Sequence, residues 1–392
     1  MLVVQYLKKL FHVSWDANHP LLGPHLALIK FVGVWHPVND FKTKFRLLTL
    51  YATIGFAFSI YIKFCISWSL AAFVPIIQFA PFHIGIVKTC YFLKDHEKWT
   101  DLIGYISKTE CEELAKEDPE IKRIIDRYIK YGHRLTYFYW IVGFLSNVGI
   151  FNDICQKIFV EKDLSDEYIT MFDGYTPFER DLPGYYYIFV IQFIFANMVT
   201  GYVMSWDPLV VGVMIFMANQ LKVSGIHCRN AIDAKSPMNS HKNIVACHRF
   251  HSTLVRYQET FNGLISPVMF VYLVVISVNL GVCIIEMVEL QDNVGELVSY
   301  CVYVLACLVQ LLLFYWHSNE VMEESTLVSY NAFRSSWVDV NLQLQKEIAL
   351  LGYSVSKTLV FQAGPFHEMS LTTFVSILRG SYSFYTLLNE TN

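Results

Sequence analysis

The chain has 392 residues, 54% of them hydrophobic, 16% aromatic and only 16% charged, with 30 Lys and Arg against 34 Asp and Glu. A soluble domain carries about 25% charged residues, so this charge poverty and a mean hydropathy of +0.37 exclude an ordinary cytosolic protein, a disordered chain and a disulfide scaffold. The lack of a basic cluster excludes a nucleic-acid partner, and an all-α protein that crosses the membrane several times is left.

A helix needs about 20 apolar residues to cross a hydrocarbon core of about 30 Å. Residues 1–44 precede the first such run and show neither a basic leader nor a small-residue cleavage site, so insertion is expected to rely on an internal span. Seven runs then qualify: Phe45–Ile66, Leu70–Leu93, Leu135–Phe151, Gly184–Trp206, Thr260–Ile285, Leu297–His317 and Met369–Leu388. Arg46 and Lys63 lie at the ends of the first and Lys88 near the end of the second, where long stems carry a charge out to the headgroups.

Cytoplasmic loops are enriched in Lys and Arg. Residues 1–44, 94–127, 222–256 and 318–367 hold 21 of the 30, whereas the alternate segments 67–69, 152–184, 286–296 and 389–392 hold three. The N-terminus is thereby expected inside and the C-terminus outside.

Gly184–Leu221 is apolar apart from Asp207 and could be drawn as two crossings, but a second would put six basic residues of 222–256 outside. Trp206-Asp207-Pro208 is therefore read as a helix break, with Asp207 capping a new helix whose first position Pro208 takes. The competing reading is an intramembrane ion-binding carboxylate. His241–Glu259 runs without a breaker into the fifth span, and Trp337–Leu351 is a second helical pattern too polar for lipid. The plan is a cytoplasmic segment 1–44, spans 1–4 over 45–206 with an outer loop 152–184, and a cytoplasmic helical anchor 207–259. Spans 5 and 6 follow over 260–317, then a cytoplasmic helix of span 7 over 318–367 and span 7 itself over 369–388.

Little in the sequence asks for chemistry. His227-Cys228 and Cys247-His248 with His251 could be drawn as a zinc site, but they lack the CxxC or HxxxH spacing of structural sites, and no metal or cofactor is expected. No GxSxG, HExxH or GxxxxGK[ST] occurs, so no enzyme is expected. Of the nine cysteines only Cys155 falls in an outer loop, which leaves it without a partner for a disulfide there.

The last span is patterned. Thr373, Ser376, Gly380, Ser383, Leu387 and Thr391 share one helical face, and Leu371, Phe374, Leu378, Tyr382 and Tyr385 lie opposite. Small polar residues on an apolar helix mean close helix packing or the wall of a water-filled pore, and the pattern alone leans to packing.

The residues at this end resemble those of the insect odorant receptors. Phe314-Tyr315-Trp316-His317-Ser318-Asn319-Glu320-Val321-Met322-Glu323-Glu324-Ser325 looks like that family's signature at the end of span 6. Ser335-Ser336-Trp337 is similar to the tryptophan that follows it, and Met369-Ser370-Leu371 through Ser381-Tyr382-Ser383-Phe384-Tyr385-Thr386-Leu387-Leu388 resembles its closing span. The TY…QF ending of the related gustatory receptors is absent. So is the long insertion between spans 4 and 5 that marks the obligate co-receptor, which makes the chain resemble an odorant-selective subunit.

The resemblance implies a heterotetrameric nonselective cation channel built with the co-receptor in a plasma membrane and opened directly by a small volatile hydrophobic ligand. The polar face of span 7 then becomes pore lining, with Leu387 at the family's hydrophobic gate, Thr391 one turn beyond and Ser383 and Gly380 along the wider pore. Arg379 is expected to point off that stripe. The outer loops 152–184 and 286–296 carry 12 Asp and Glu against three Lys and Arg, a field that would gather permeant cations.

By the same resemblance the ligand pocket lies in the outer half of spans 2, 3, 4 and 6. Its candidates are Phe73, Ile76 and Ile77; Trp140, Gly143 and Asn147; Phe189 and Phe193; and Tyr300 with Tyr303. Aromatic walls with few polar groups bind small apolar molecules by shape, while Asn147 or a tyrosine hydroxyl orients an oxygen. The alternatives are a G-protein-linked receptor, opposed by the inverted topology and the missing D/E-R-Y triplet, and a transporter or membrane enzyme, which needs a mid-membrane polar constellation.

Overall fold

The computed structural model describes residues 16, 18–36, 41–66, 70–116, 118–159, 184–233, 236–289 and 294–390; the side chains of Phe73, Ile76, Ile77, Lys63, Tyr385 and Leu387, and all of Thr391, lie outside the described set. Its helices are α1 (Gly23–Phe31), α2 (Phe41–Ile66), α3 (Leu70–Lys94), α4 (His96–Ala115), α5 (Pro119–Phe159), α6 (Gly184–Arg229), α7 (Pro237–Glu289), α8 (Val294–Phe333), α9 (Leu342–Ser354) and α10 (Leu371–Glu390). The first six apolar runs fall within α2, α3, α5, α6, α7 and α8, and the seventh from Leu371 onward within α10, with Met369 and Ser370 preceding the helix. Among the described residues, Gly184–Arg229, Pro237–Ile284 and Tyr300–Asp339 are long and apolar enough to cross a membrane on length and composition alone.

Four helices are far longer than a crossing needs. α5 has 41 residues, α6 46, α7 53 and α8 40, which at 1.5 Å per residue is about 60 to 80 Å. Their surplus lengths are the polar N-terminal parts of α5 and α7 and the C-terminal parts of α6 and α8. With α4 and α9 these form a polar bundle at one end of the molecule, as the unbroken patterns predict. Asn341 starts α9 by accepting a hydrogen bond from the amide of Leu344 at 2.9 Å.

The N-terminal segment is built into this bundle. Leu21, Leu22, Leu26 and Ile29 are buried, Thr136 on α5 meets His25 at 2.7 Å, and the amide of Leu21 donates to Glu110 at 3.2 Å. Glu110 is fully buried and also accepts from the Tyr128 hydroxyl at 2.8 Å. Burial pushes its carboxyl up to about 7, against the pull of these two donors. Arg46 does not simply snorkel: its guanidinium donates to the carbonyl of Lys30, in the last turn of α1, at 2.8 Å.

Two readings of charged residues are overturned. α6 runs unbroken through Asp207 and Pro208, so Asp207 caps nothing. Lys88 does not reach the headgroups; its side chain is wholly buried and paired with Asp207. Both errors have one cause, a tertiary partner 119 residues away that local pattern cannot display.

A short hairpin, β1 (Gln362–Ala363) against β2 (His367–Glu368), leads into α10. Its Gly364 has φ +68, and a Cβ there would meet the Phe270 ring at 2.7 Å. Glycine is thus required both by conformation and by close approach to α7. The Gly364 amide donates to the carbonyl of Ser266 at 3.0 Å, which ties the root of α10 to α7.

Candidate functional site

Pro208 organises the seam between α5 and α6. A proline inside a helix leaves the carbonyl four residues earlier without its amide donor. That carbonyl belongs to Met204, and the indole Nε1 of Trp140 donates to it at 2.8 Å. One turn outward, Gly143 lets α6 come close, since a Cβ there would meet the Met204 side chain at 3.1 Å. A further turn out, Asn147 donates to Asn197 at 3.1 Å and accepts from Thr200 at 3.3 Å. Trp140, Gly143 and Asn147 therefore form one continuous strip facing α6.

Next to Trp140 lies a polar joint that the sequence did not disclose. Lys88 Nζ on α3 stands 2.6 Å from Asp207 Oδ1 on α6. The Tyr139 hydroxyl on α5 donates to Asp207 Oδ2 at 2.8 Å, and the Gln310 amide on α8 donates to the same oxygen. Around the ammonium lie the rings of Tyr272 on α7 at 4.6 Å, Trp206 on α6 at 5.1 Å and Phe314 on α8 at 5.6 Å. Five helices thus meet on one buried charge pair whose carboxylate is met by three donors and whose cation faces three π systems.

The chamber beside Asp207, lined in part by Thr136, Pro208, Gly212 and Phe314, has a volume of only about 10 Å³. That is the lower limit for one water. With Lys88 already as its counter-charge, the carboxylate has no room for a further cation, so the ion-binding reading of Asp207 falls.

The other pocket candidates divide. Tyr300 and Tyr303 meet edge to face with centroids 6.5 Å apart, and the Tyr303 hydroxyl donates to Asn279 on α7 at 3.4 Å. On α6 the buried face runs through Ile188, Gln192, Phe195, Ala196, Val199 and Tyr202. Phe189 is half-buried at its edge, and Phe193 is turned outward, 45% exposed. Hydropathy cannot separate these faces, because lipid and bundle interior are equally apolar. Phe73, Ile76 and Ile77 sit on α3, their side chains outside the described set.

On α10, Ile377 and Ser381 are buried, and Phe374 and Leu378 pack against the core. Ser381 donates to the carbonyl of Ser277 on α7 at 3.1 Å, and the Phe374 ring lies 6.5 Å from that of Tyr315 on α8. Ser376, Gly380 and Ser383 are exposed, Thr373 is half-buried, and a Cβ on Gly380 would meet nothing within 4 Å. The stripe therefore does not serve packing within the chain, against the leaning of the pattern. Arg379 is exposed.

A larger cleft, about 1040 Å³, opens between α4 and the polar part of α7. Its walls carry Glu97, Asp101, Lys108, Arg249 and Arg256 and none of the pocket candidates, a lining unsuited to an apolar ligand. Among the described residues no group of three or more His, Cys, Asp or Glu could hold a metal ion. His227 lies 3.3 Å from Glu113, and His251 3.4 Å from Ser224.

The architecture is that of a seven-span, all-helical membrane protein. Its fold superposes on the insect olfactory receptor OR5 from Machilis hrabei in complex with eugenol with a TM-score of 0.80, over 96% of this chain and 100% of that one, at 14% identity. Odorant receptor 10 of Aedes albopictus is 23% identical over 320 residues, 78% of this chain and 80% of that protein. Odorant receptor 30a of Drosophila melanogaster is 22% identical over 292 residues, 74% and 75% of the two chains. Residues 70–382 match the family model described as 7tm Odorant receptor. The chain belongs to the 7tm odorant receptor family: it is a membrane-embedded odorant receptor, not an enzyme.

Proposed function

We propose that this odorant receptor is the ligand-binding subunit of a heteromeric, odorant-gated nonselective cation channel in the plasma membrane, assembled with the family's co-receptor. The observation that carries the reading is the uncovered face of α10. Ser376, Gly380 and Ser383 are small or polar, lie in a span and are exposed; the two hydroxyls donate only to carbonyls of their own helix, at 3.0 Å each, and among the described residues nothing lies within 4 Å of a Cβ placed on Gly380. Such a strip of hydroxyls and bare backbone suits water or neighbouring subunits around a shared axis better than lipid. By the family resemblance Leu387 is the hydrophobic gate and Thr391 the position one turn beyond; a ring of leucines closes a pore by dewetting.

The ligand is a small volatile hydrophobic molecule held in the outer half, between the Trp140–Gly143–Asn147 strip and the Tyr300–Tyr303 pair. Phe189 lies at the edge of these walls, and Phe73, Ile76 and Ile77 are assigned to them by the family resemblance alone. In support, the OR5 structure was determined with eugenol bound, a molecule of the size and polarity such walls accept.

Cysteine accessibility tests the pore reading. Channels carrying Ser376→Cys or Ser383→Cys are expected to be blocked by a charged methanethiosulfonate reagent in the open state, and Ser381→Cys, on the buried face, is not. Block at Ser381→Cys alone would turn the helix the other way and refute the assignment.

A further inference from the structure

Resting on that channel reading, we infer that Lys88 and Asp207 are positioning residues for gating: the buried pair sets the angle of the Pro208 joint in span 4 and so passes the state of Trp140 to the pore helix. Pro208 removes one rung of the α6 ladder, which makes this the point where span 4 bends most easily. Two neighbouring residues of α5 hold that weak point. Trp140 donates to the carbonyl the proline has freed, 2.8 Å away, and Tyr139 donates to Asp207, the residue before the proline, at 2.8 Å. A ligand pressing on the Trp140 ring acts on the freed carbonyl directly, and the rotation it imposes on α5 acts on Asp207 through Tyr139.

From Asp207 the chain of contacts is short. Lys88, fixed to the carboxylate at 2.6 Å, lies against the Phe314 and Tyr272 rings, which are themselves edge to face at 5.8 Å. The residue after Phe314 is Tyr315, whose ring is 6.5 Å from Phe374 near the root of α10. All these side chains except Phe374 are buried or nearly so, and each lies on a different helix from the one before or next to it in sequence. An ion pair with every acceptor met resists partial displacement, because separating its members leaves a buried charge unmatched. The joint is therefore stiff in a given arrangement, and a change in it is transmitted to the helices it holds together.

The alternative is that the pair only holds the spans together. The test uses whole-cell currents from this chain expressed with an insect co-receptor, opened by eugenol or whichever compound of a panel of small volatile alcohols, aldehydes, esters and terpenes gives current in the unmodified channel. Lys88→Met with Asp207→Asn keeps the shapes and the hydrogen bonds from Tyr139 and Gln310 while removing both charges, and surface labelling measures assembly. Per channel at the surface, this double variant is expected to shift the half-maximal concentration tenfold or more.

A double-mutant cycle separates coupling from holding. Trp140→Phe, which loses only the indole N–H, is expected to shift the half-maximal concentration severalfold in the unmodified channel and less than twofold in the neutralised one. Equal shifts in both backgrounds overturn the inference and leave the channel reading standing. Failure of the neutralised channel to reach the surface, while Trp140→Phe with Tyr139→Phe gives additive shifts, also overturns it. No current from the unmodified chain with any compound overturns the channel reading and this inference together.

Discussion

Lys88 Nζ lies 2.6 Å from Asp207 Oδ1, with 0% of one side chain and 1% of the other exposed. Removing one member of such a pair leaves the other charged and unmatched in a nonpolar surround, at a cost of about 3–5 kcal/mol. Lys88→Ala and Asp207→Ala are each expected to cut the amount of protein at the cell surface severalfold and to lower the thermal midpoint in detergent. The charge-free double replacement recovers most of both. Single variants as stable as the unmodified chain would contradict the assignment of a full charge pair.

Glu110 links stability of the polar bundle to pH. Its carboxyl is raised in the folded chain, to about 7 from 4.5, chiefly by burial. Between those values the folded state holds a proton that the unfolded state has lost, so stability is highest below about 4.5, falls as pH rises and levels off above about 7. The difference is about 3 kcal/mol at most. Glu110→Gln is expected to flatten the dependence of the thermal midpoint between pH 5 and 8 and to be the more stable form at pH 8. An unchanged slope would place the titration elsewhere.

Trp140 and Tyr303 each hydrogen-bond to a neighbouring helix. Trp140→Ala and Tyr303→Phe are expected to reorder the ligand panel by several-fold changes in half-maximal concentration, with surface expression within about twofold of the unmodified chain. Parallel loss of all responses would indicate a folding defect instead of a pocket.

At the gate, Leu387→Ser replaces a dewetting side chain with one that holds water. Ligand-free current is expected to rise several-fold at equal surface expression. Unchanged basal current would remove Leu387 from the gate.

Much of this fold was legible because lipid imposes a simple rule: each apolar run of about 20 residues became part of one helix. The polar bundle could also be read, since His241–Glu259 enters span 5 without a breaker and emerges as a single helix, α7. Asp207-Pro208 misled because the dipeptide is a good local helix start, and nothing nearby indicates that Lys88 holds the carboxylate within an unbroken helix. Phe193 misled differently: its neighbours Gln192 and Phe195 face the bundle, and apolarity does not tell inside from lipid. The α10 stripe was legible as a face, while its exposure was not: among the described residues no side chain covers Gly380.

The most direct test of the whole account is the whole-cell current of cells expressing this chain with and without an insect co-receptor, during an odorant panel and with G-protein signalling blocked. A fast cation current that needs both chains and survives the block is the predicted result. For a compound that demonstrably binds the chain, no current under block and a slow response once the block is lifted would contradict it.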